Sequence, residues 1–519
     1  MNTTDFLSIS CAICPERTLM IFEGQRWSYV HTNERVNKLT DSLRRHGVKK
    51  GDRIAMLEVN CNQYIEAYFA AAKLGAIFVP LNFRAKVEEL FYMISNVEAK
   101  MILVGDRYLQ MVNGMLPKLP SVKQCITLGR MTKGTLRYED LIEAGSPGEI
   151  TTEIADDDIT ILMYTAGTTG RPKAVPLRHS AFVSYVLENV QPADPEIEER
   201  NLLTVPLYHV AGIQAVLAAV YGGRTLVLMR QFDTDEWLKI VEKERVTRAM
   251  LVPTMLKWII DQPDFEKYDL TSLEVITYGA APMPYEVIKK AIEKMPWVKF
   301  INAYGQTETA STITALGPED HVIEGTDEEI EKKLKRLTRS IGKPLPDVEI
   351  RIADENGNPL GPVQVGEIWV RGPRVMNGYW GDEEKSKAVL NEDGWLRTGD
   401  KGWMDEDGYI YLEGRADDII IRGGENISPE EVEDVLYSHP KIEDAAVIGV
   451  PDPEWGQELR AIVVLKKGKE ATPEEIMEYC RSRLAGFKRP RSVIFVDSLP
   501  RNPMGKVLKK ELKEKYGQA

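Results

Sequence analysis

The stretch that decides how this chain is read is Tyr164-Thr-Ala-Gly-Thr-Thr-Gly-Arg-Pro-Lys173, crowded with hydroxyls and closed by a cation. Gly167 and Gly170 let the backbone turn its N–H groups toward a common centre. Thr165, Thr168 and Thr169 add hydroxyl donors, and Lys173 adds a full positive charge. Successive amides form an anion nest and a lysine neutralises bridging charge, so the collection suits a polyphosphate. A Walker loop needs Gly-Lys-Ser/Thr together, whereas here Arg-Pro separates Gly170 from Lys173. Taken alone, the stretch has a lesser alternative reading as an ordinary Gly/Thr surface turn.

Outward from this loop, helical patterns (Thr32–Arg44, Gln63–Lys73, Val87–Ser95) alternate with short apolar runs at Arg53–Leu57 and Ile77–Pro80. The alternation resumes after Thr160, with strand candidates at Thr225–Leu228, Ala249–Val252 and Leu273–Thr277. This pattern predicts βαβ units around a mostly parallel sheet. From Asp347 the chain turns strand-rich (Val348–Ala353, Glu367–Arg371), which predicts a smaller β-lobe, and Asp327–Arg336 reads as a solvated helix. Further on, an α+β module is expected. Ser428-Pro-Glu-Glu431 and Thr472-Pro-Glu-Glu475 read as capping boxes opening two helices. Strand candidates lie at Ala445–Val450, Ala461–Leu465 and Val493–Val496, and a last helix at Val507–Tyr516 with Lys509 and Lys510 on its exposed face.

Composition narrows the class. The chain of 519 residues is 43% hydrophobic and 28% charged, as in soluble globular proteins. Its net charge of −13 argues against a nucleic-acid partner, although cations gather late in the chain at Lys488, Arg489, Arg491 and Arg501. The five cysteines suit a reducing cytosol, and Cys11-Ala-Ile-Cys14 lacks a second Cys or His pair, so it reads as incidental thiols. No signal peptide is apparent, and no apolar run approaches the roughly 18 residues of a membrane span. The longest, Ala211–Val220, is broken by Gln214. The expectation is a cytoplasmic enzyme.

Four more motifs follow in order: Tyr304-Gly-Gln-Thr-Glu308, Thr398-Gly-Asp400, Gly414-Arg-Ala-Asp417 and Asn502-Pro-Met-Gly-Lys506. With the opening loop they resemble the signatures of the adenylate-forming superfamily, in its acyl- and aryl-CoA synthetase branch. The resemblance covers residues 164 to 506 by motif and nearly the whole chain by general pattern. It implies an α/β and α+β fold. A large N-terminal domain of layered sheets, helices and a β-lobe (1–416) would bind ATP and the acid, and a small mobile α+β domain (417–519) would carry a catalytic lysine.

The activity implied is joining of a carboxylic acid to coenzyme A: acid and ATP give acyl-AMP and pyrophosphate, then CoA displaces AMP. The first step presses a carboxylate against an anionic α-phosphate, so catalysis must supply positive charge and alignment. On the resemblance, Thr165, Ala166, Gly167, Thr168, Thr169 and Lys173 hold the β- and γ-phosphates. Tyr304 stacks on adenine with Gly305 and Gln306 beside the nucleotide, Thr307 donates to the α-phosphate, and Asp400 and Arg415 take the ribose. Thr165 and Glu308 would hold Mg²⁺, a hard ion that prefers oxygen. Lys506, on a turn made by Pro503 and Gly505, is the catalytic ammonium, joined by Glu308 and by His209 as an aromatic gate.

Asp417 matches the hinge, and Arg84, Gly423, Gly424, Trp455, Phe487 and Arg489 match CoA contacts, with core packing the alternative for the two aromatics. Val210, Gly212, Ile213, Gly279, Ala280, Ala281, Ala303 and Ala310 would line an apolar acyl slot. Amino-acid-activating relatives place an aspartate near the position of His209; none stands here, which implies a weakly polar acid, medium-chain, alicyclic or aromatic. Three competitors stay open: a free-standing enzyme that loads a carrier protein, a luciferase-like oxygenase, and a non-catalytic nucleotide-binding module. A homodimer is neither required nor excluded.

Overall fold

The computed structural model describes residues 1–165, 171–415, 418–422, 425–502 and 505–518. Among them the strands form sheets of thirteen, seven, three and two strands. In the seven-stranded sheet, Gln124–Thr127, Met101–Val104, Arg53–Leu57, Ile77–Pro80 and Ile159–Thr165 run parallel. Lys173–Arg178 then folds back antiparallel, setting Lys173 opposite Thr165.

Arg53–Leu57 shows why such a strand is apolar throughout. Ile54 and Met56 enter one core while Ala55 and Leu57 enter another, so both faces are covered. The inner core also takes Leu203 and Leu226 from the thirteen-stranded sheet and residues of helices Thr3–Ile13, Tyr29–Arg45, Asn62–Lys73 and Val210–Tyr221. Those helices are thus packed between the two sheets. Val210–Tyr221 is apolar on nearly every side, as a helix so enclosed must be. Among the described residues no helix is long and apolar enough to cross a membrane.

In the thirteen-stranded sheet, the six strands from Thr18–Phe22 to Lys299–Gln306 pair in parallel. Antiparallel pairing then continues through Ser311–Leu316, Ser340–Pro344, Ile410–Arg415, Leu396–Met404, Gly366–Arg371 and Glu349–Ala353. The β-lobe expected from Asp347 is therefore an extension of the parallel sheet. Ser340–Pro344 joins the two parts, bonding Thr314 and Ala315 on one side and Ile410 and Tyr411 on the other.

The C-terminal part has its own sheet, Ile442–Asp452, Gly456–Leu465 and Ser492–Phe495. Helices Pro429–Tyr437 and Pro473–Arg481 cover one face and Lys509–Tyr516 the other. Three local expectations are corrected here. Ser428 donates to Glu430 (2.9 Å) and caps no amide, so the first capping box does not close. Thr472 does accept from the Glu475 N–H at 3.3 Å. The last helix starts at Lys509, because Val507 is held in a bridge to Arg501 and the Leu508 N–H donates to Pro500 O at 2.8 Å. Lys509 itself is not on an exposed face: its ammonium is drawn inward by Glu433 (2.9 Å) and Glu430 (3.6 Å).

A buried ion pair ties the sheet extension to the rest of the domain. The fully buried Arg374 guanidinium donates through Nη2 to Asp347 Oδ1 (2.8 Å), lies 2.7 Å from Oδ2 at Nε as an ion pair, and reaches the Thr312 carbonyl. Asp347 also accepts from Ser184 at 2.6 Å. Removing one charge strands the other in a dry site. Arg374→Ala should therefore cost about 3–5 kcal/mol in urea unfolding; a loss too small to measure would show that Asp347 finds another partner.

Candidate active site

A cleft of about 400 Å³ lies between the large domain and the C-terminal lobe. The large domain contributes Gly279, Ala280, Ala281, Ala303, Tyr304 and Asp400 to it, and the lobe contributes Gly505 and Lys506. Small residues are forced on this wall. A Cβ on Gly279 would sit 2.0 Å from Ala303 O, and one on Gly305 would sit 1.8 Å from Ser311 O. The close approach of neighbouring strands therefore fixes these two glycines.

Asp400 is placed by its own motif. The Thr398 hydroxyl donates to Ile368 O (2.7 Å) and accepts from the Asp400 N–H (3.1 Å). The carboxylate so held accepts from the Tyr304 hydroxyl at 2.5 Å. Tyr304 and Asp400, nearly a hundred positions apart by number, thus share one wall. Arg415 stands opposite Asp400 on the adjoining strand.

The phosphate-loop residues Ala166, Gly167, Thr168 and Thr169 lie outside the described residues, as do Asp417, Gly423, Gly424 and Pro503. What is described is the mouth of the loop, where Thr165 and Lys173 face each other. The Lys173 ammonium lies 4.7 Å from the Tyr379 ring centre, and the Tyr379 hydroxyl donates to Glu308 Oε1 at 3.0 Å. Burial and the neighbouring Glu308 carboxylate both push the Tyr379 phenol up, so it stays a donor. Glu308 and Thr307 open a short 3-10 turn that ends at Ala310 in the left-handed region (φ +49°). The segment carrying Tyr379 is pinned on both sides: the Met376 N–H bonds Glu308 O and the Trp380 N–H bonds Ala174 O, each at 2.9 Å.

Lys506 is presented by a tight turn. The Asn502 N–H bonds Lys506 O at 2.8 Å, and the Lys506 N–H bonds Asn502 Oδ1 at 2.9 Å. Gly505 takes φ +72°, and a Cβ there would lie 2.3 Å from Thr254 Oγ1. The turn is therefore seated directly on the large-domain helix Pro253–Ile260.

Other candidates fall elsewhere. His209 precedes helix Val210–Tyr221, stacks 4.3 Å from the Tyr208 ring, and has a buried Nε2 with no hydrogen-bond partner. Burial, aided by Arg84, pushes its imidazole down to about 3, so it is neutral. Val210, Ile213 and Ala310 belong to the core behind the cleft, and Gly212 abuts Pro206 O. Arg84 lines a second cavity of about 190 Å³ together with Arg230, Arg501 and Asn502. Trp455 is exposed beneath the Arg422 guanidinium (4.9 Å), Phe487 packs partly into the C-terminal core, and Arg489 Nε donates to Leu484 O.

Sequence reading missed Tyr379, Thr254 and a pair of lobe acids. Asp434 lines the cleft, and burial pushes its carboxyl up to about 8. Burial raises Glu433 too, against the opposing pull of Lys509. None of these sits in a motif; Tyr379 follows Gly378 in an otherwise plain turn.

A cleft that unites an aromatic–carboxylate pair with a lysine from a second lobe has the layout of an adenylate-forming enzyme. The AMP-binding enzyme model matches residues 8–380, and the AMP-binding enzyme C-terminal domain model matches 431–506. Feruloyl-CoA synthase of an Amycolatopsis species is 36% identical over 504 residues, spanning 97% of this chain and 96% of that protein. A fatty acid–acyl-carrier-protein ligase, ScoC of Streptomyces coeruleorubidus, is 31% identical over 506 residues, with coverage of 97% and 94%. Among solved structures, the anthranilate CoA ligase AuaEII in complex with anthranoyl-AMP superposes with a TM-score of 0.90 at 25% identity, covering 99% of this chain and 97% of its own. The chain belongs to the AMP-binding enzyme family, among its acyl- and aryl-CoA synthetases, and is by class an AMP-forming acid–CoA ligase that uses ATP.

The neutral His209 has a measurable signature. Between its ordinary 6.5 and about 3, the unfolded chain binds a proton that the folded chain refuses. Stability must therefore fall as pH drops through that window, and His179, pushed down to about 4 by burial, acts in the same sense. His209→Asn should flatten the acid limb of the urea midpoint against pH; an unchanged slope would mean that the imidazole ionises in the folded state.

Proposed function

We propose that the protein converts a medium-chain, alicyclic or aromatic carboxylic acid to its CoA thioester through an acyl-adenylate, in the cytoplasm. The observation that carries this reading is the seat of the Lys506 turn on Thr254, in the same cleft as Tyr304, Asp400 and the wall from Gly279 to Ala281. In the reading, residues 1–416 bind ATP and acid, and 417–519 form the moving lobe.

Each residue's work follows from the charges to be managed. Tyr304 and Asp400 fix the nucleoside, and Thr165 and Lys173 steady the phosphates that leave as pyrophosphate. The Lys506 ammonium neutralises the carboxylate and α-phosphate oxygens as they meet, which is electrostatic stabilisation without a covalent step. Glu308 offers oxygens suited to Mg²⁺, oriented by the Tyr379 hydroxyl. Among the described residues no three His, Cys, Asp or Glu side chains gather, so such an ion would share Glu308 and Thr165 with phosphate oxygens and water, as Mg²⁺ commonly does. Bound there, it supplies further neutralisation across the phosphates.

For the second half-reaction the lobe turns about Asp417, Lys506 withdraws and a thiol approaches past the neutral His209, with Arg84, Gly423, Gly424, Trp455, Phe487 and Arg489 holding CoA. The apolar wall of glycine and alanine leaves room for a ring or a chain. The aromatic acids in the names of feruloyl-CoA synthase and the anthranilate ligase favour a ring. The similarity to ScoC supports a second reading, in which the thiol belongs to a separate carrier protein.

Pyrophosphate release across a panel of short, medium, alicyclic and aromatic acids identifies the substrate, and AMP release that depends on CoA separates the two acceptors. Lys506→Ala should slow adenylation by about 10²- to 10³-fold while thioester formation from supplied acyl-AMP largely survives. Equal loss of both steps would overturn the division of labour.

A further inference from the structure

The geometry points to Lys257 as a positioning residue for adenylation, one that holds the Lys506 turn over the cleft through Glu443, Asp444 and Arg501. The inference rests on the role proposed above for Lys506.

Helix Pro253–Ile260 touches the lysine turn at one point directly and at another through side chains. Thr254 is the direct seat, beneath Gly505. One turn along the same helix face, the Lys257 ammonium pairs with Glu443 of the lobe, at the start of strand Ile442–Asp452. The next residue, Asp444, grips Arg501 with both oxygens at 2.7 Å. Arg501 in turn donates through Nη1 to the Gly505 carbonyl, the peptide unit that leads into Lys506. Every member of this chain lines the same cleft. The helix therefore fixes both the floor of the turn and the side chains that brace its backbone.

The large-domain end of the chain is itself prepared. Lys257 is 16% exposed and also bonds Asp261 one turn on (3.0 Å), which is shared with Lys290. Burial alone would push the Lys257 ammonium down, yet Glu443 and Asp261 hold it above its ordinary value. Asp261 is kept low by the two lysines despite its own burial. Tyr437 donates to Asp444 from the lobe side, so the carboxylate that holds Arg501 cannot swing away. The lysine end of the pair is the sheltered one, since the Glu443 side chain is 39% exposed, so salt screens the link in part.

The Lys257–Glu443 link crosses between the lobes, whereas Asp444–Arg501 and Arg501–Gly505 lie within one lobe. Opening the lobe must break the first and keeps the others. Lys257 thus bears on the half-reaction that needs Lys506 in place and leaves the other untouched. Misplacing a charged group by about an ångström can cost two orders of magnitude in rate, and a lost brace has that scale of consequence.

The test measures both half-reactions of the full-length protein: acid-dependent pyrophosphate–ATP exchange, and thioester formation from supplied acyl-AMP and CoA. Lys257→Glu should lower kcat for exchange roughly 10- to 100-fold with KM for ATP and acid little changed. Thioester formation should hold. The double variant Lys257→Glu with Glu443→Lys should restore most of the exchange rate by rebuilding the pair in reverse. Loss of both half-reactions together, no loss of exchange, or no rescue by the double variant each overturns the assignment. Should Lys257→Glu fail to fold, Glu443→Lys alone is read by the same criteria from the lobe side. A wild-type protein that shows no acid-dependent exchange with any acid in the panel overturns the ligase reading instead, so the two failures are distinguishable.

Discussion

In the proposed adenylation two anions must meet, and the lysine proposed to neutralise them stands on a turn that Gly505 seats against Thr254. The lysine turn comes within reach of the Tyr304–Asp400 pair because nothing but a glycine hydrogen separates its backbone from the helix below. The left-handed φ of Gly505 serves the same end, since it turns the chain back toward Asn502 and aims Lys506 along the cleft. A side chain at this position would lift the turn and open the distance that electrostatic stabilisation depends on.

The lobe that carries the lysine is held by charges of unequal worth. The Lys257–Glu443 and Arg339–Glu431 pairs favour closure. Burial of Asp434, whose carboxyl rises to about 8, opposes closure for as long as that acid would otherwise be ionised. Opposed contributions of this kind are in keeping with the moving lobe proposed above. The acidic balance of the chain does not conflict with anionic substrates, because Lys257, Arg501 and Lys506 are gathered around one cleft.

Strands and helices of the large domain were legible in the sequence where burial on both faces or one face repeats locally. Arg53–Leu57, Ile77–Pro80 and Thr225–Leu228 end where their apolar runs end. Sheet membership was not legible: nothing near Ser340–Pro344 says that it will bond Thr314 on one flank and Tyr411 on the other. Capping failed for a related reason. Ser428 had the right residue type, but Glu430 offered its hydroxyl a carboxylate closer at hand. At the site, motif residues were visible because each sits in a short run of turn formers, glycine and hydroxyls. Thr254, Lys257 and Tyr379 sit in ordinary segments and acquire meaning from what the lobe or the neighbouring loop brings against them. Lys509 was misread by the same route, since a lysine at a helix start reads as exposed until two acids from another helix are placed beside it.

The proposed acyl slot has one wall that the sheet itself fixes. Gly279 and Gly305 cannot accept a side chain without parting the strands, so this part of the wall is fixed by the sheet and not by the acid. Ala281 and Met283, beyond the end of strand Val275–Gly279, both line the cleft. Val210, Ile213 and Ala310 lie behind the wall in the buried core. Met283 is buried in a core cluster whereas Ala281 is not, so in the proposed slot Ala281 is the position where a changed side chain disturbs neither sheet nor core.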